Sequence, residues 1–308
     1  MIYGKAQSPD NEKQVEFLLK KNIVFVILNY NVYDMVLECV DSIQKHIDTD
    51  SYAIVIVDNP AQNPVGERLK LHYTDNHFVD VILMQENCGF ARGNNVGINF
   101  ARKSYNPDFI VCLNNDTLLE QTDFYKTLNQ VFKIYHPAVI GPQIILRDNS
   151  IQPVGGDLLT KEDYQKELQK MRMIMENCLP LKTRLKEFLL TFRLVRFLNL
   201  QRHKAMGARD VNTVYHDLIL HGCCLIFTNT FFEQLNGFHP GTFLFREEEL
   251  LFLMLKKKGL HNLYCPSLSI RHLEDVSTDS ITRSSKEKRK FLASNQIDSL
   301  QILIKEMD

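Results

Sequence analysis

Four apolar runs constrain this chain more than any other feature: residues 23–28, 53–57, 79–84 and 109–113. Each is dense in β-branched and large apolar side chains with little alternation, the pattern of a strand covered on both faces in a parallel sheet. Between them lie polar stretches with helical spacing, such as Val36, Val40, Ile43 and Ile47 behind Asp34, which reads as an N-cap. Strands alternating with helices at this rhythm predict right-handed crossovers and an α/β fold around a parallel sheet.

The ends of these runs are as informative as the runs. They finish in Asn29-Tyr30-Asn31, Asp58-Asn59, Gln85-Glu86-Asn87 and Asn114-Asn115-Asp116. One such ending reads as a turn, because Asn and Asp are good turn formers. Four of them point to a shared site, because the carboxyl ends of strands in an open parallel sheet line its ligand crevice. The segment from Gly89 to Gly97 adds glycines that let backbone approach a ligand, and a helix start whose free N–H groups suit a phosphate. It does not follow the first strand as G-x-G-x-x-G, which counts against a nicotinamide dehydrogenase.

Beyond a helix at 122–134 and a strand at 139–146, residues 160–207 change in kind and read as a helical insertion. Residues 161–175 are charged and helical, and 181–200 mix Leu and Phe with Lys182, Arg184, Lys186, Arg193 and Arg196. A basic amphipathic helix of this type can lie on an anionic membrane surface, and a helix packed on the domain with solvated lysines is the plainer alternative. Contact with a membrane is expected, if anywhere, through 181–204. Strand character resumes over 218–227, followed by a short helix at 230–235. The acidic run Glu247-Glu248-Glu249 precedes a helix at 250–258 closed by Gly259, and a last strand at 263–270, broken by Pro266 and so expected at an edge, ends in Arg271-His272. The expected organisation is an extension (1–20), a first α/β half (21–157), the insertion (158–212), a second half (213–275) and a C-terminal helical segment (276–308).

Charge and cysteine usage narrow the partners. With 36 basic and 37 acidic residues the net charge is -1, so no overall positive field attracts nucleic acid. The seven cysteines form no C-x-x-C pair, as expected for buried thiols in a reducing compartment. The first 22 residues are polar and no apolar stretch approaches the ~20 residues of a spanning helix, so a cytoplasmic protein, peripheral at most on the inner face of a membrane, is expected.

Taken together and in order, Leu28-Asn-Tyr-Asn31, Val57-Asp58-Asn59, Glu86-Asn87-Cys-Gly89-Phe90-Ala91-Arg-Gly93-Asn94-Asn95, Leu113-Asn-Asn-Asp116 and Gly141-Pro142 resemble the donor half of glycosyltransferase family 2. Gly222, Asn236-Gly237-Phe238, Phe243-Leu-Phe245, Glu247-Glu248, Gly259, Pro266 and His272 resemble its acceptor half. The rhamnosyltransferase-like branch is the nearest in flavour, and the resemblance runs from about residue 22 to 275.

The resemblance implies a GT-A fold, Rossmann-like, with a mostly parallel central sheet flanked by helices. It also implies Mg²⁺ or Mn²⁺, a UDP- or dTDP-activated sugar, and inversion at the anomeric carbon. Asp116 matches the metal ligand and His272 the histidine that joins the metal or the diphosphate. Glu248 matches the base, with Glu247 second and Glu249 not excluded. Asn29, Asn31 and Asp58 match positions for nucleobase and ribose, while Asn87, Gly89, Arg92 and Asn95 match those facing base and diphosphate. Asn114 stands at the first position of the family's D-x-D and Asn115 at the second, both toward the donor. His239-Pro240 replaces two acidic residues usual after Gly237-Phe238, and Met254 a basic one. The chemistry suits these residue types independently: a nucleoside diphosphate leaving group needs its charge neutralised by a hard cation, and the attacking hydroxyl needs a carboxylate to take its proton.

The expected function is therefore an inverting, metal-dependent transfer to a saccharide acceptor, lipid-linked, in surface polysaccharide synthesis. A nucleotidyltransferase making the activated sugar would need a basic glycine-rich loop after the first strand, which is lacking. A non-catalytic relative binding a partner through 160–207 would bind no nucleotide sugar.

Overall fold

A computed structural model describes residues 20–60, 65–176, 209–273 and 285–308. All but the last residue of the predicted extension (1–20) and the basic amphipathic stretch at 181–204 lie outside the described residues. The N-terminal half alternates as the apolar runs dictate: β1 (Ile23–Tyr30), α1 (Asp34–His46), β2 (Tyr52–Asn59), α2 (Gly66–His72), β3 (Val79–Leu83), α3 (Gly89–Tyr105) and β4 (Phe109–Asn114). β1 pairs in parallel with β2 on one side and β4 on the other, and β3 extends beyond β2. The chain thus steps outward from β1 to β3 and then jumps back across β1 to β4. That reversal opens a crevice at the carboxyl ends of β1 and β4, where a ligand fits in an open α/β sheet.

β1 and β2 are buried on both faces: Ile23, Phe25 and Ile27 of β1 and Tyr52, Ile54 and Ile56 of β2 pack into one apolar cluster with α1 and α4 (Phe124–Tyr135), and the alternate residues of each strand into another with α3. Double-sided burial explains why these runs show little hydrophobic alternation. Asp34 lies in the first turn of α1 rather than capping it; Tyr33 occupies the N-cap position and no side chain caps the helix.

The second half completes the same sheet and changes its direction. The remaining strands are β5 (Thr117–Leu118), β6 (Val139–Leu146), β7 (Tyr215–His216), β8 (Cys224–Thr228) and β9 (Asn262–His272). The order is β3-β2-β1-β4-β8-β6-β9-β5, with β7 on β9. β8 is antiparallel to both β4 and β6, so the sheet is mixed.

Two strand expectations need correction. Residues 218–223 are not strand although Leu218 and Leu220 are buried: Asn262 ties both polar groups of the Leu218 backbone, with Leu218 N–H donating to Asn262 Oδ1 (3.1 Å) and Asn262 Nδ2 donating to Leu218 O (2.8 Å). β9 is interior, not an edge. Pro266 is absorbed where the β6 register jumps from Pro142–Cys265 to Gln143–Ser269, an irregularity that removes the need for its missing N–H.

Helices α5 (Lys161–Met175), α6 (Asn229–Phe232), α7 (Glu247–Lys257) and α8 (Ser285–Glu306) complete the described elements. α6 is shorter than the predicted 230–235, and α7 begins at Glu247, earlier than the predicted 250. α5, α7 and α8 share a third cluster built on Tyr164, Leu250, Leu300 and Leu303. Cys39, Cys112, Cys223, Cys224 and Cys265 are buried free thiols; burial pushes Cys39 up to about 12. Among the described residues no helix is long and apolar enough to cross a membrane.

Candidate active site

Two connected hollows lie over the carboxyl ends of β1 and β4. The larger, about 460 Å³, is lined by Tyr30, Asn59, Asn87, Asn114 and Asn115, with Phe243 and Phe291 among its apolar walls. The second, about 350 Å³, is lined by His221, Gly222 and the run from Arg246 to Glu249. Phe90, Asn114, Leu244 and Phe245 belong to both, so the two form one cleft with a shared wall.

The floor of the larger hollow is a closed amide–carboxylate network. Parallel register sets Asn29 beside Asp58, and Asn29 Nδ2 donates to Asp58 Oδ1 at 2.7 Å. Asn115 Nδ2 donates in turn to Asn29 Oδ1 at 2.9 Å. Asn29 is 0% and Asp58 3% exposed. Burial raises the Asp58 carboxyl above its usual range, against the hydrogen bonds from Asn29 and the Gly66 backbone. Asn29, expected at the nucleotide, is sealed beneath the cleft in this structure and orients Asn115.

Above this floor a tight turn shapes the rim. Asn87 Oδ1 accepts from Gly89 N–H (2.9 Å), while Asn59 accepts from Cys88 N–H (3.1 Å) and donates to Gly89 O (2.9 Å). Gly89 has φ +80, and a Cβ there would sit 2.1 Å from Phe243 O, so only glycine lets this turn meet the 243–245 segment. Two residues expected to face the base or the diphosphate instead bond to loop backbone in this structure. Arg92 is exposed and its Nε donates to Pro240 O (2.8 Å), and Asn95 spends both amide atoms on the backbone of Phe238. Both fasten α3 to the 238–240 loop. Asn31, in the left-handed region at φ 57, lies just past β1 and outside the residues lining either hollow.

Asp116 and His272, far apart in sequence, meet because β5 pairs antiparallel with β9, placing Thr117 opposite His272. His272 Nε2 lies 3.2 Å from Asp116 Oδ1, without the alignment of a hydrogen bond. Asp116 Oδ1 and both His272 ring nitrogens are buried with no hydrogen-bond partner. Buried polar atoms are rarely left so, and a carboxylate oxygen beside an imidazole nitrogen is a donor pair for a divalent cation. No group of three or more His, Cys, Asp or Glu ligands occurs among the described residues. A cation held by the Asp116–His272 pair would fill its remaining positions with phosphate oxygens and water. The His221 ring stands 5.8 Å from that of His272 and links this pair to the second hollow.

The acidic run separates into distinct environments. Glu249 Oε1 accepts from Arg246 Nη1 at 2.7 Å and is thereby occupied. Glu247 is 4% exposed with its Oε1 unpartnered. Glu248 lies over Gly222, where a Cβ would come within 2.1 Å of Glu248 Oε1. Burial, the first cause in both cases, raises Glu247 and Glu248 from 4.5 to about 7, and neighbouring glutamates add to it. A carboxylate with a pKa near neutrality is matched to general-base work.

With the geometry described, comparison with known proteins decides the family. The family model for Glycosyl transferase family 2 matches residues 24–178, half of the chain. The chain belongs to glycosyltransferase family 2. The transferase is also 21% identical over 297 residues to the low-salt glycan biosynthesis hexosyltransferase Agl10 of Haloferax volcanii, covering 95% of this chain and 82% of that one. Its fold is shared with S. aureus TarS 1-349 (TM-score 0.50, 12% identity, 82% of this chain) and with GalNAc-T7 solved with UDP, GalNAc and Mn²⁺ (TM-score 0.57, 13% identity, 93% of this chain). The transferase spans 60% and 48% of those two chains. The architecture is GT-A, and the enzyme is a glycosyltransferase.

Several lining residues escaped the sequence reading. Asn59 and Phe243 to Phe245 stood inside quoted motifs without a role. His221 stood next to one. Phe291 and Gln296 belong to α8, beyond the last motif, where no local signal marks them.

Proposed function

We propose that this glycosyltransferase moves a sugar, with inversion, from a UDP- or dTDP-linked donor to a saccharide acceptor, using a divalent metal. The observation that carries the proposal is the single cleft joining an amide-floored hollow to paired glutamates with raised pKa, with the partnerless Asp116–His272 pair near their junction. Asp116 and His272 would hold the metal, which neutralises charge on the departing diphosphate. Asn87, Asn114 and Asn115 offer hydrogen bonds to the nucleotide. Glu248 takes the proton from the attacking hydroxyl, entering from the side of the second hollow. An attack from the face opposite the leaving group inverts the anomeric carbon in one step, and one base suffices.

A role in building a cell-envelope glycan on a lipid-linked acceptor is supported by the relative's own role in glycan biosynthesis and by the basic amphipathic pattern at 181–204. Liposome pelleting tests the membrane part: binding independent of anionic lipid, or of that segment, overturns it.

The donor reading is tested by a thermal-shift panel of nucleotide sugars with and without Mn²⁺, since a ligand bound only by the native state raises the midpoint. A UDP or dTDP sugar should raise it only with metal present. No shift with any nucleotide sugar overturns the reading.

A further inference from the structure

The turn that presents the glutamates is built against local preference. Phe245 and Arg246 occupy the left-handed region at φ 77 and 68, a conformation that bulky residues adopt only where their surroundings over-determine it. Arg246 is moreover the N-cap of α7, where the helix dipole disfavours a cation and a Ser, Asp or Asn would satisfy free N–H groups. Its side chain makes no cap. The sequence therefore places a costly residue at the most sensitive point of the cleft.

What holds it is a clamp from three helices. Arg246 Nη2 donates to Glu167 Oε1 of α5 at 2.5 Å, Nη1 to Glu249 Oε1 of α7 at 2.7 Å, and Nε to Gln296 Oε1 of α8 at 3.1 Å. The guanidinium carbon lies 6.0 Å from the ring of Tyr164, itself in the shared α5–α7–α8 cluster. α8 grips the rest of the turn as well: Ser299 Oγ donates to Leu244 O at 2.9 Å, and Phe291 meets Phe243 edge to face, with centroids 6.4 Å apart.

We propose that Arg246 is the positioning residue of the catalytic turn: clamped by Glu167, Glu249 and Gln296, it fixes the 245–246 backbone so that Glu248 faces the cleft over Gly222. The proposal rests on Glu248 as the base. A planar guanidinium satisfies three partners in fixed directions, which a lysine cannot do. The clamp also consumes Glu249 and leaves Glu247 and Glu248 for chemistry. Burial first and then the charge of Glu249 raise the pKa of Glu248, the Gly222 backbone and Arg246 lower it, and Glu247, His221 and Cys223 line the same hollow.

The test compares Arg246→Met, Arg246→Lys, Glu167→Gln and Glu248→Gln in the full chain, each normalised to the fraction that binds UDP and dTDP with Mn²⁺. Arg246→Met should lower kcat by on the order of 10²-fold, because a misplacement of about 1 Å costs that much, while donor KM changes little. Its acidic limb in kcat/KM should move to higher pH as the nearby positive charge is lost. Arg246→Lys should return the limb toward wild type and recover part of kcat, and Glu167→Gln should lower kcat as Arg246→Met does but more weakly, without moving the limb to higher pH. A loss in Arg246→Met fully explained by fewer binding-competent molecules, with the limb unmoved, overturns the proposal. Full turnover in Glu248→Gln overturns the base reading itself and the proposal with it.

Discussion

The floor of the cleft and its acidic wall are built on opposite principles. In the floor, Asn29 and Asp58 sit on paired strands, Asn115 lies in the turn just past β4, and the three are joined by short hydrogen bonds. In the wall, Glu247 and Glu248 start a helix behind two left-handed residues, with a raised pKa and an unpartnered Glu247 oxygen. The floor is ordered by its own strands; the wall needs α5 and α8 to hold it. A donor site can be a finished network because it must keep one shape. A base must stay unsatisfied until the acceptor arrives.

The contrast breaks first if Glu248→Gln retains turnover. Removing a general base should cost about 10²–10⁴-fold in kcat, with metal-dependent nucleotide binding kept. Asp116→Ala should show the converse, a loss of Mn²⁺-dependent nucleotide affinity on the order of 10²-fold, and metal chelation of wild type should reproduce it. Calorimetry with and without chelator separates the two variants.

Next in size, Asn29→Ala should destabilise the fold by about 1–3 kcal/mol in urea unfolding, because it orphans buried polar atoms of Asp58 and Asn115. An equal loss from Glu247→Gln would erase the distinction between floor and wall. The wall should instead respond to pH. Glu247 and Glu248 have folded pKa values raised from 4.5 to about 7, so between those limits the folded state retains protons that the unfolded chain has released. Stability from this source is present at low pH and lost as pH rises through about 7, whereas kcat/KM rises over the same span as the base ionises. The double variant Glu247→Gln/Glu248→Gln should flatten the thermal-midpoint trend. Smallest of all, Arg92→Ala should change nucleotide affinity by no more than about twofold, as for a surface substitution away from the ligand.

Much of the floor was legible in the sequence because parallel strands buried on both faces leave an unbroken apolar run, and their ends fall where the crevice must be. Asn114, Asn115 and Asp116 are found that way. For Asn29, Asn95 and Arg92 the motifs indicated the neighbourhood and not the partner: spacing brings a side chain near the crevice, but only packing decides whether it faces the cleft, the protein interior or another loop. The run at 218–223 misled for a related reason, since burial without ladder pairing looks the same in sequence as a strand.

By itself the sequence determined most of the element order and the crevice, and its ordered motifs pointed to Asp116, Glu248 and His272. The tertiary structure decided the rest. It brought His272 to Asp116 through a short antiparallel pairing, placed β9 inside the sheet despite Pro266, and assigned Glu249 to Arg246. It also carried Phe291 and Gln296 from the C-terminal helix into the cleft. Those are long-range contacts between segments with no mutual periodicity, and no local pattern encodes them.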